Sequence, residues 1–280
     1  MQIYSQLRYS DPRAPEGSEH SFGWGYQPVL ERRYGLTRLH VYYFKTLEGL
    51  EVDKEHMREK LAEFPRDVFV MLNLEGDAWE PCTQAGVDQQ VLDARMELLL
   101  FAKELRPDLL FAYYYHPPSS SYERCMNFRG WWRERAAAQR ELAEAQACII
   151  PEFYFRRAVL DRTGRHPYEL TAARAGLWAS RCLTDLKELF PNTEIRPILW
   201  PTWHSWFKQF PASGGDGFDW TIERQMDSRV PADIWQAVLE PLGMTCDSFI
   251  IWGQGHCPWD AESEWFTTTL EWKNHAIAGS

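Results

Sequence analysis

Positive charge is in short supply in this sequence, and so are the long apolar runs of membrane proteins. Its 30 Lys and Arg residues are outnumbered by 40 Asp and Glu residues, which gives a formal net charge of -10. That charge argues against a nucleic-acid backbone or an anionic membrane surface as the main partner. No apolar run approaches the roughly 18 to 20 residues that a membrane span requires. The first residues lack the basic and then apolar pattern of a signal peptide, so the location is unknown, and would be secreted or periplasmic if such a signal has been removed.

Cysteine and the short cofactor motifs are also scarce. The six cysteines form no CxxC pair and show no regular spacing, which disfavours zinc-knuckle and thioredoxin sites. They fit a reduced cytosolic protein as well as a secreted one with a few disulfide bonds. No G-x-G-x-x-G or P-loop follows an apolar run, and no HxH or HExxH motif is found. The sequence therefore predicts no cofactor and no bound metal.

Aromatic residues, by contrast, are abundant. They make up 15% of the chain and include 14 Trp. Large aromatic side chains fill cores, which explains about half of them, and exposed Trp and Tyr provide flat apolar faces on which sugars or bases stack. The remaining aromatic residues are candidates for such stacking surfaces.

Short apolar runs alternate with longer amphipathic ones along the chain. The strand candidates are 38–44, 67–75, 109–115, 148–155, 194–200 and 247–252. The helix candidates are 53–63, 87–105, 129–146, 168–190 and 231–240. Strands that are apolar on both faces and separated by helices are typical of parallel βαβ units.

A (β/α)8 TIM-type barrel is the natural closure of this α/β repeat, at a typical size of about 250 residues. We allow for a distorted or incomplete ring and expect residues 1–280 to form a single catalytic barrel domain. A barrel of this type has eight strands, and only six have candidates. We expect the other two in residues 1–9 and 203–230. A doubly wound open sheet is the alternative, although it usually carries a glycine-rich phosphate-binding turn.

Polar and aromatic side chains collect where the predicted strands end. In a barrel, the loops after the carboxyl ends of the strands build the active site. Five strand ends carry Asn73, Glu75 and Asp77; Tyr115 and His116; Glu152 and Tyr154; Trp200, Trp203 and His204; and Trp252 and Gln254. We predict a site with Glu75, Asp77 and Glu152 as catalytic candidates and the other residues as substrate-binding candidates.

The largest group of polar candidates lies at the end of the second strand candidate, 67–75. Side chains alternate along a strand, so Asn73 and Glu75 should point together into the barrel mouth, joined by Asp77 if the chain stays extended past Gly76. Carboxyl groups this close to Trp79 cannot all ionise easily, so at least one should have a raised pKa and donate a proton near neutral pH. Glycoside hydrolysis needs such an acid, together with an anion or amide that stabilises an oxocarbenium-like centre.

Each of these residues also has a structural explanation. Glu75 fits an N-cap or the partner of an arginine, and Asp77 fits a cap of the following turn. His116 fits a hydrogen-bonded wall residue, and the tryptophans around Trp200 fit core packing. Glu152, however, lies within an apolar strand, where burial without a function would be costly.

At four places the chain resembles the hyaluronidase family of (β/α)8 glycoside hydrolases. VFVMLNLEGDAWEP (68–81) resembles the family's strand that ends in Asp-x-Glu before a Trp and a Pro, and FAYYYHPP (111–118) resembles its Gly-Tyr-Tyr strand. AQACIIPEFYF (145–155) resembles a later strand with an apolar-Pro-x-x-Tyr pattern, and FIIWGQG (249–255) resembles the closing strand with its Trp-Gly. Together these stretches cover about forty residues in the family's order.

The resemblance implies roles for several residues. Glu75 matches the family's proton donor, and Tyr154 and Trp252 match aromatic residues that line its substrate cleft. Asn73 stands where the family has a carboxylate that orients the substrate's own N-acetyl group as the nucleophile. An amide hydrogen-bonds an acetamido group but carries no negative charge, so a second carboxylate is expected to supply the anion. The candidates for it are Asp77 and Glu152.

Three functions are open on these grounds. The first is a glycoside hydrolase that cleaves a polysaccharide or glycan, with N-acetylhexosamine among the candidate sugars and Glu75 as general acid/base. The second is a carbohydrate-binding barrel without catalysis, which Asn73 favours because it replaces an acid. The third and least favoured is a metal-dependent hydrolase whose ligands would come from separate strands. Those ligands would be His116, His204 or His256 with Glu75 or Asp77.

Overall fold

Strands and helices alternate along the chain in the computed structural model. The residues that it describes are 1–7, 27–82, 86–114, 116, 120–155, 158–160, 167–201, 229–253 and 263–278. The chain divides into two compact units. The terminal unit consists of Met1–Arg38, Phe153–Ser180 and Ile198–Ser280, and the central unit consists of Leu39–Glu152 and Arg181–Pro197.

The secondary structure is numbered in chain order. The strands are β1 (Gln2–Leu7), β2 (Thr37–Arg38), β3 (His40–Tyr43), β4 (Phe69–Asn73), β5 (Leu110–Tyr113), β6 (Cys148–Ile149), β7 (Glu152–Phe153), β8 (Ala158–Leu160), β9 (Pro167–Glu169), β10 (Glu194–Ile195), β11 (Ile198–Leu199) and β12 (Ser248–Gly253). The α-helices are α1 (Gln27–Tyr34), α2 (Lys54–Ala62), α3 (Gln89–Leu105), α4 (Arg129–Ala137), α5 (Arg140–Ala145), α6 (Ala172–Leu189), α7 (Ala232–Thr245) and α8 (Glu264–Ala278). Asp77–Trp79 forms a 3-10 helix and Glu123–Asn127 a π-helix.

The central unit is built on short parallel strands. Strands β3, β4 and β5 form one sheet in that order, and β10 pairs with β6. The N–H of Ala147 donates to the carbonyl of Phe111 at 2.8 Å, which links the start of β6 to β5. All five residues of β4 are buried, as expected for a parallel strand that is covered on both faces.

Helices α2 and α3 cover this sheet and begin at aspartate caps. Asp53 accepts a hydrogen bond from the N–H of His56, and Asp88 accepts one from the N–H of Gln90, each at 2.9 Å. Such caps satisfy N–H groups that the first helical turn leaves without partners. The buried residues of α3 return at helical spacing: Val91, Leu92, Arg95, Leu98, Leu99 and Ala102. Burial of each large aliphatic side chain among them contributes about 1.5–3 kcal/mol.

The terminal unit contains β2, β1, β12 and β11, which lie side by side in that order in a sheet, and Phe153 of the neighbouring β7. Strands β1 and β12, the first and last described strands in chain order, lie side by side, with Gln2 paired to Ser248 in parallel register. Trp235 of α7 packs edge-to-face against Trp265 of α8 at a centroid distance of 5.6 Å, and its indole N–H donates to Thr269 at 2.8 Å. Of the tryptophans among the described residues, those that are buried are Trp79, Trp132, Trp178, Trp235, Trp252 and Trp265. Core packing therefore accounts for a large part of the aromatic content.

The strand predictions were in the right places, and all but 247–252 were too long; that one has the length of β12 and is shifted by one residue. Predicted strand 148–155 is divided into β6 and β7, and predicted strand 194–200 is divided into β10 and β11. Pro151 and Pro197 lie at the two interruptions, and a proline has no N–H to donate to a neighbouring strand. The strand predicted within residues 1–9 is confirmed as β1. The other missing strand was expected in 203–230, most of which lies outside the described residues.

The helix predictions also needed correction. Predicted helix 129–146 is two helices, α4 and α5. Predicted helix 168–190 begins only at Ala172, because β9 pairs antiparallel with β8 just before it. Predicted helix 231–240 continues through Pro241 to Thr245, which brings Leu242 into the core. Across the described ranges, no helix combines the length and the hydropathy needed to cross a bilayer.

Candidate functional site

The acidic segment, residues 74–79, leaves the carboxyl end of β4 and turns at once. Gly76 has a φ of +126°, a backbone conformation that favours glycine. The N–H of Trp79 donates to the carbonyl of Gly76 at 2.9 Å and closes the turn. The chain therefore does not stay extended past Gly76. Asp77 was expected to point the same way as Asn73 and Glu75 only if it did, so that expectation no longer applies.

Asn73 and Glu75 interact, as the two-residue period of a strand predicts. Asn73 ends β4 and is 7% exposed, whereas Glu75 is exposed. The pKa of Glu75 is raised because the surrounding protein removes water from its carboxyl, and a hydrogen bond from the Asn73 side chain opposes that rise. The raised pKa predicted for this segment is confirmed for Glu75. A carboxyl group that a substrate can reach and that resists ionisation is suited to donating a proton.

Arg95 of α3 is a part of this site that the sequence analysis missed. It is buried, and its guanidinium donates to the carbonyl oxygens of Leu74 and Trp79, the first and last residues of the acidic segment. The available signal was its place on α3, since Arg95 interrupts the apolar face formed by residues such as Val91 and Leu98. A buried arginine in an apolar stripe needs hydrogen-bond acceptors, and here these are backbone carbonyls of the acidic segment.

His116 is completely buried in the central unit and kept neutral. The Gln146 side chain accepts from the N–H of Tyr113, so its amide nitrogen donates to Nδ1 of His116 at 2.9 Å. The imidazole proton is therefore on Nε2. The pKa of His116 is lowered to about 3, first by desolvation and then by the positive charge of Arg95. A side chain with no exposed surface does not contact a substrate in this conformation, so the explanation of His116 as a wall residue fits better than the predicted substrate contact.

The other described candidates are distributed over both units. Glu152, in β7, is 7% exposed, which confirms its expected burial, and is the last residue of the first segment of the central unit. Tyr154, Trp200 and Trp252 belong to the terminal unit. Tyr154 packs edge-to-face against Trp200 at 5.3 Å, and Trp200 is half-buried. Tyr154 and Trp252 are buried, so Trp200 is the more accessible of these rings.

Several predicted residues lie outside the described part of the chain. They are Tyr115, Trp203, His204, Gln254 and His256, together with the side chain of Asp77. Their predicted roles in substrate binding and catalysis stay predictions.

Neither metal-ligand clusters nor disulfides appear in the part of the chain that the structure describes. No group of three His, Cys, Asp or Glu side chains there is arranged to hold a metal ion. The five described cysteines, Cys82, Cys125, Cys148, Cys182 and Cys246, are free thiols and buried. Burial raises the pKa of Cys82 and of Cys148 to about 12, which makes both thiols poor nucleophiles.

The fold is similar to that of bee venom hyaluronidase. One crystal structure of that protein shares 14% sequence identity with this chain at a TM-score of 0.59, covering 99% of this chain and 97% of that one. A second, in complex with a hyaluronic acid tetramer, shares 12% identity at a TM-score of 0.60, covering 99% and 96%. No protein-family model matches the sequence, and no curated protein sequence does.

These similarities establish the fold. The chain has a TIM-type (β/α)8 fold, as the alternation of strands and helices predicted. Within that fold, Asn73 and Glu75 lie at the carboxyl end of a parallel strand, the end where barrel enzymes place their active sites.

Proposed function

We propose that the chain is a glycoside hydrolase that cleaves a polysaccharide or glycan, with Glu75 as the proton donor. The observation that carries the proposal is the state of Glu75, which is exposed at the carboxyl end of β4 and has a pKa raised by desolvation. An exposed carboxyl with a raised pKa is suited to protonating the oxygen of a leaving sugar. The glycoside hydrolase fold supports this function, and its extent over 99% of the chain supports residues 1–280 acting as one catalytic domain.

The proposed substrate class is supported by Asn73. Its side-chain oxygen has no hydrogen-bond partner among the described residues, although it is buried. A buried acceptor without a partner is costly, and the N–H of an acetamido group is a donor of suitable size. A sugar carrying an N-acetyl group, as in an N-acetylhexosamine, would supply that donor beside Glu75. The complex of bee venom hyaluronidase with a hyaluronic acid tetramer also supports a carbohydrate substrate.

Glu152 is the preferred second carboxylate. It is buried at β7 and belongs to the same unit as Glu75. Asp77 remains the alternative, although the turn at Gly76 ends the strand alternation before it. Trp200, which is half-buried, is proposed to contact a sugar ring, as Trp faces do in other sites. Tyr154 and Trp252 are buried, and their predicted contacts with substrate stay predictions.

Replacement of Glu75 by Gln tests the proposal. The variant keeps the shape of the side chain but cannot give up a proton, so kcat should fall at least about 100-fold. The measurement is release of reducing ends from a panel of N-acetylhexosamine-containing glycans. Glu63→Gln is the matched control, because it removes an exposed carboxylate of the same unit that pairs only with Lys60 among its described contacts. Ordinary activity in Glu75→Gln would refute the assignment.

A carbohydrate-binding barrel without catalysis is the second candidate. Asn73 favours it, since an amide replaces the carboxylate that the resemblance leads one to expect. The same glycan panel separates the two functions when binding is measured beside release. Binding of a glycan without release of reducing ends by the unmodified protein would establish the binding function and exclude the hydrolase.

A further inference from the structure

Arg95 is buried on the apolar face of α3 and is 3% exposed. Removing a guanidinium from water is costly unless hydrogen bonds compensate for the lost hydration. The hydrogen-bond partners of a buried arginine therefore indicate which part of the structure it holds in place.

The acidic segment is held by Arg95 at both of its ends. Nε and Nη2 of Arg95 donate to the carbonyl oxygen of Trp79 at 3.0 Å and 2.6 Å, and Nη2 also donates to the carbonyl oxygen of Leu74 at 3.4 Å. Glu75 lies between these two anchor points. The planar fork of donors is specific to arginine, since a lysine ammonium cannot reproduce its geometry.

Arg95 is in turn fixed by the next strand. Its guanidinium lies 5.3 Å from the ring centre of Tyr113, and the hydroxyl of Tyr113 donates to the backbone carbonyl of Arg95 at 2.8 Å. Tyr113 ends β5 and pairs in register with Leu72 of β4. The arginine thus connects α3, β5 and the segment that follows β4 inside the central unit.

We infer that Arg95 is a positioning residue that fixes the backbone of the acidic segment and so places Glu75 against Asn73. The inference rests on the proposed function, in which Glu75 donates the proton. Without the two carbonyl contacts the segment is free to shift, and a catalytic group displaced by about 1 Å can lose about 100-fold in rate. The same shift weakens the hydrogen bond from Asn73 that holds the pKa of Glu75 down.

Arg95→Lys is the main test, because it keeps the charge and removes the fork. We expect kcat to fall by about 100-fold with KM changed by less than about twofold, since the hydrogen bonds that the substitution removes do not involve the substrate. The alkaline limb of the pH–rate profile should move to higher pH, because the weakened Asn73 hydrogen bond no longer lowers the pKa of the proton donor.

Arg106→Lys is the matched control. Arg106 directly follows the carboxyl end of the same helix and likewise donates to backbone carbonyls, those of Phe64 and Pro65 among them. Loss of that fork should lower the melting temperature without moving the pH–rate profile. A structural role alone for Arg95 would make the two variants alike, and that result would overturn the inference.

A titration of Glu75 by carboxyl NMR gives a readout that does not depend on activity. The Glu75 signal is identified by its loss in Glu75→Gln, and its pKa should rise in Arg95→Lys and stay unchanged in Arg106→Lys. If it does so in a protein that hydrolyses no glycan, the proposed function fails while the positioning role stands. Should Arg95→Lys not fold, Tyr113→Phe removes the hydroxyl that holds Arg95 and should raise the pKa of Glu75 less but in the same direction; an unchanged pKa there would refute the role.

Discussion

The protonation state of Glu75 depends on two opposing influences that arise within a few residues of it. Desolvation raises its pKa, and the Asn73 amide lowers it by donating a hydrogen bond to the charged form. A proton donor is active only while protonated, so activity should disappear as the pH rises through the pKa of Glu75. Changes at position 73 should therefore move the alkaline limb of the pH–rate profile.

Asn73→Asp should move that limb to higher pH. The new carboxylate would be nearly buried beside Glu75, and like charges disfavour the ionised form. Asn73→Ala removes the hydrogen bond without adding a charge, so it should move the limb in the same direction by less. The measurement is kcat/KM across the pH range for both variants and the unmodified protein. A limb that moves to lower pH in Asn73→Asp would contradict this account.

The residues of the site differ in how much of them the sequence could predict. The pairing of Asn73 with Glu75 followed from the period of a strand, which is a local property. The contacts of Arg95 were not predictable in this way, because they join residues 16 and 21 positions apart along the chain. The hydrogen bond of His116 likewise comes from a distant residue, Gln146, 30 positions away.

Among the elements, α4 and α6 are joined by a buried acid. Asp185 has no exposed side-chain surface and accepts hydrogen bonds from Arg129 at 2.8 Å and 2.6 Å and from Arg133. Hydrogen bonds to charged groups contribute about 1.5–3 kcal/mol each. This acid therefore fixes where α4 lies against the second half of α6.

Asp185→Asn should lower the free energy of unfolding by at least about 2 kcal/mol, since the amide offers one acceptor to two guanidinium groups. Urea denaturation measures the change. Glu188→Gln is the control, because Glu188 is an exposed partner of Arg133 and exposed pairs contribute about 0–1 kcal/mol. If the two substitutions lowered the free energy of unfolding equally, the burial of Asp185 would add nothing to stability and the prediction would be wrong.

The order of the elements was predictable from hydrophobic period, but their ends were not. The apolar runs around β6 and β7 read as one strand because proline disturbs pairing without lowering hydrophobicity. Pro241 had the opposite effect, since the helix continues past it to bury Leu242. In both cases the packing around the element determined the outcome, and a single sequence does not record packing.

For the molecule as a whole, burial of His116 makes stability depend on pH. Its pKa is about 3 in the folded protein and about 6.5 in an unfolded chain. The unfolded state therefore binds more protons between these values, so stability is lost as the pH falls below about 6.5. One such group contributes a loss of up to about 1.4 kcal/mol per pH unit in that window.

His116→Asn should reduce this acid sensitivity. The asparagine oxygen offers Gln146 an acceptor near the place of Nδ1 and does not titrate. The midpoint of urea unfolding should fall less between pH 7.5 and pH 5 in the variant than in the unmodified protein. That range lies above the ordinary pKa of Asp and Glu, so carboxylates contribute little to the comparison. Identical slopes would refute the role of His116.

The pairing of β1 with β12 has a consequence for synthesis on the ribosome. The central unit uses residues 39–152 and 181–197, so all of its chain has emerged well before the end of translation. Strand β1 is made first, yet one of its two neighbours begins only at Ser248. Chains fold from the amino terminus as they are made, and here the earliest strand must wait for almost the latest. A nascent chain halted before Ser248, with residue 197 already outside the ribosome, should hold a protease-resistant central unit beside an amino-terminal strand that is still open to cleavage.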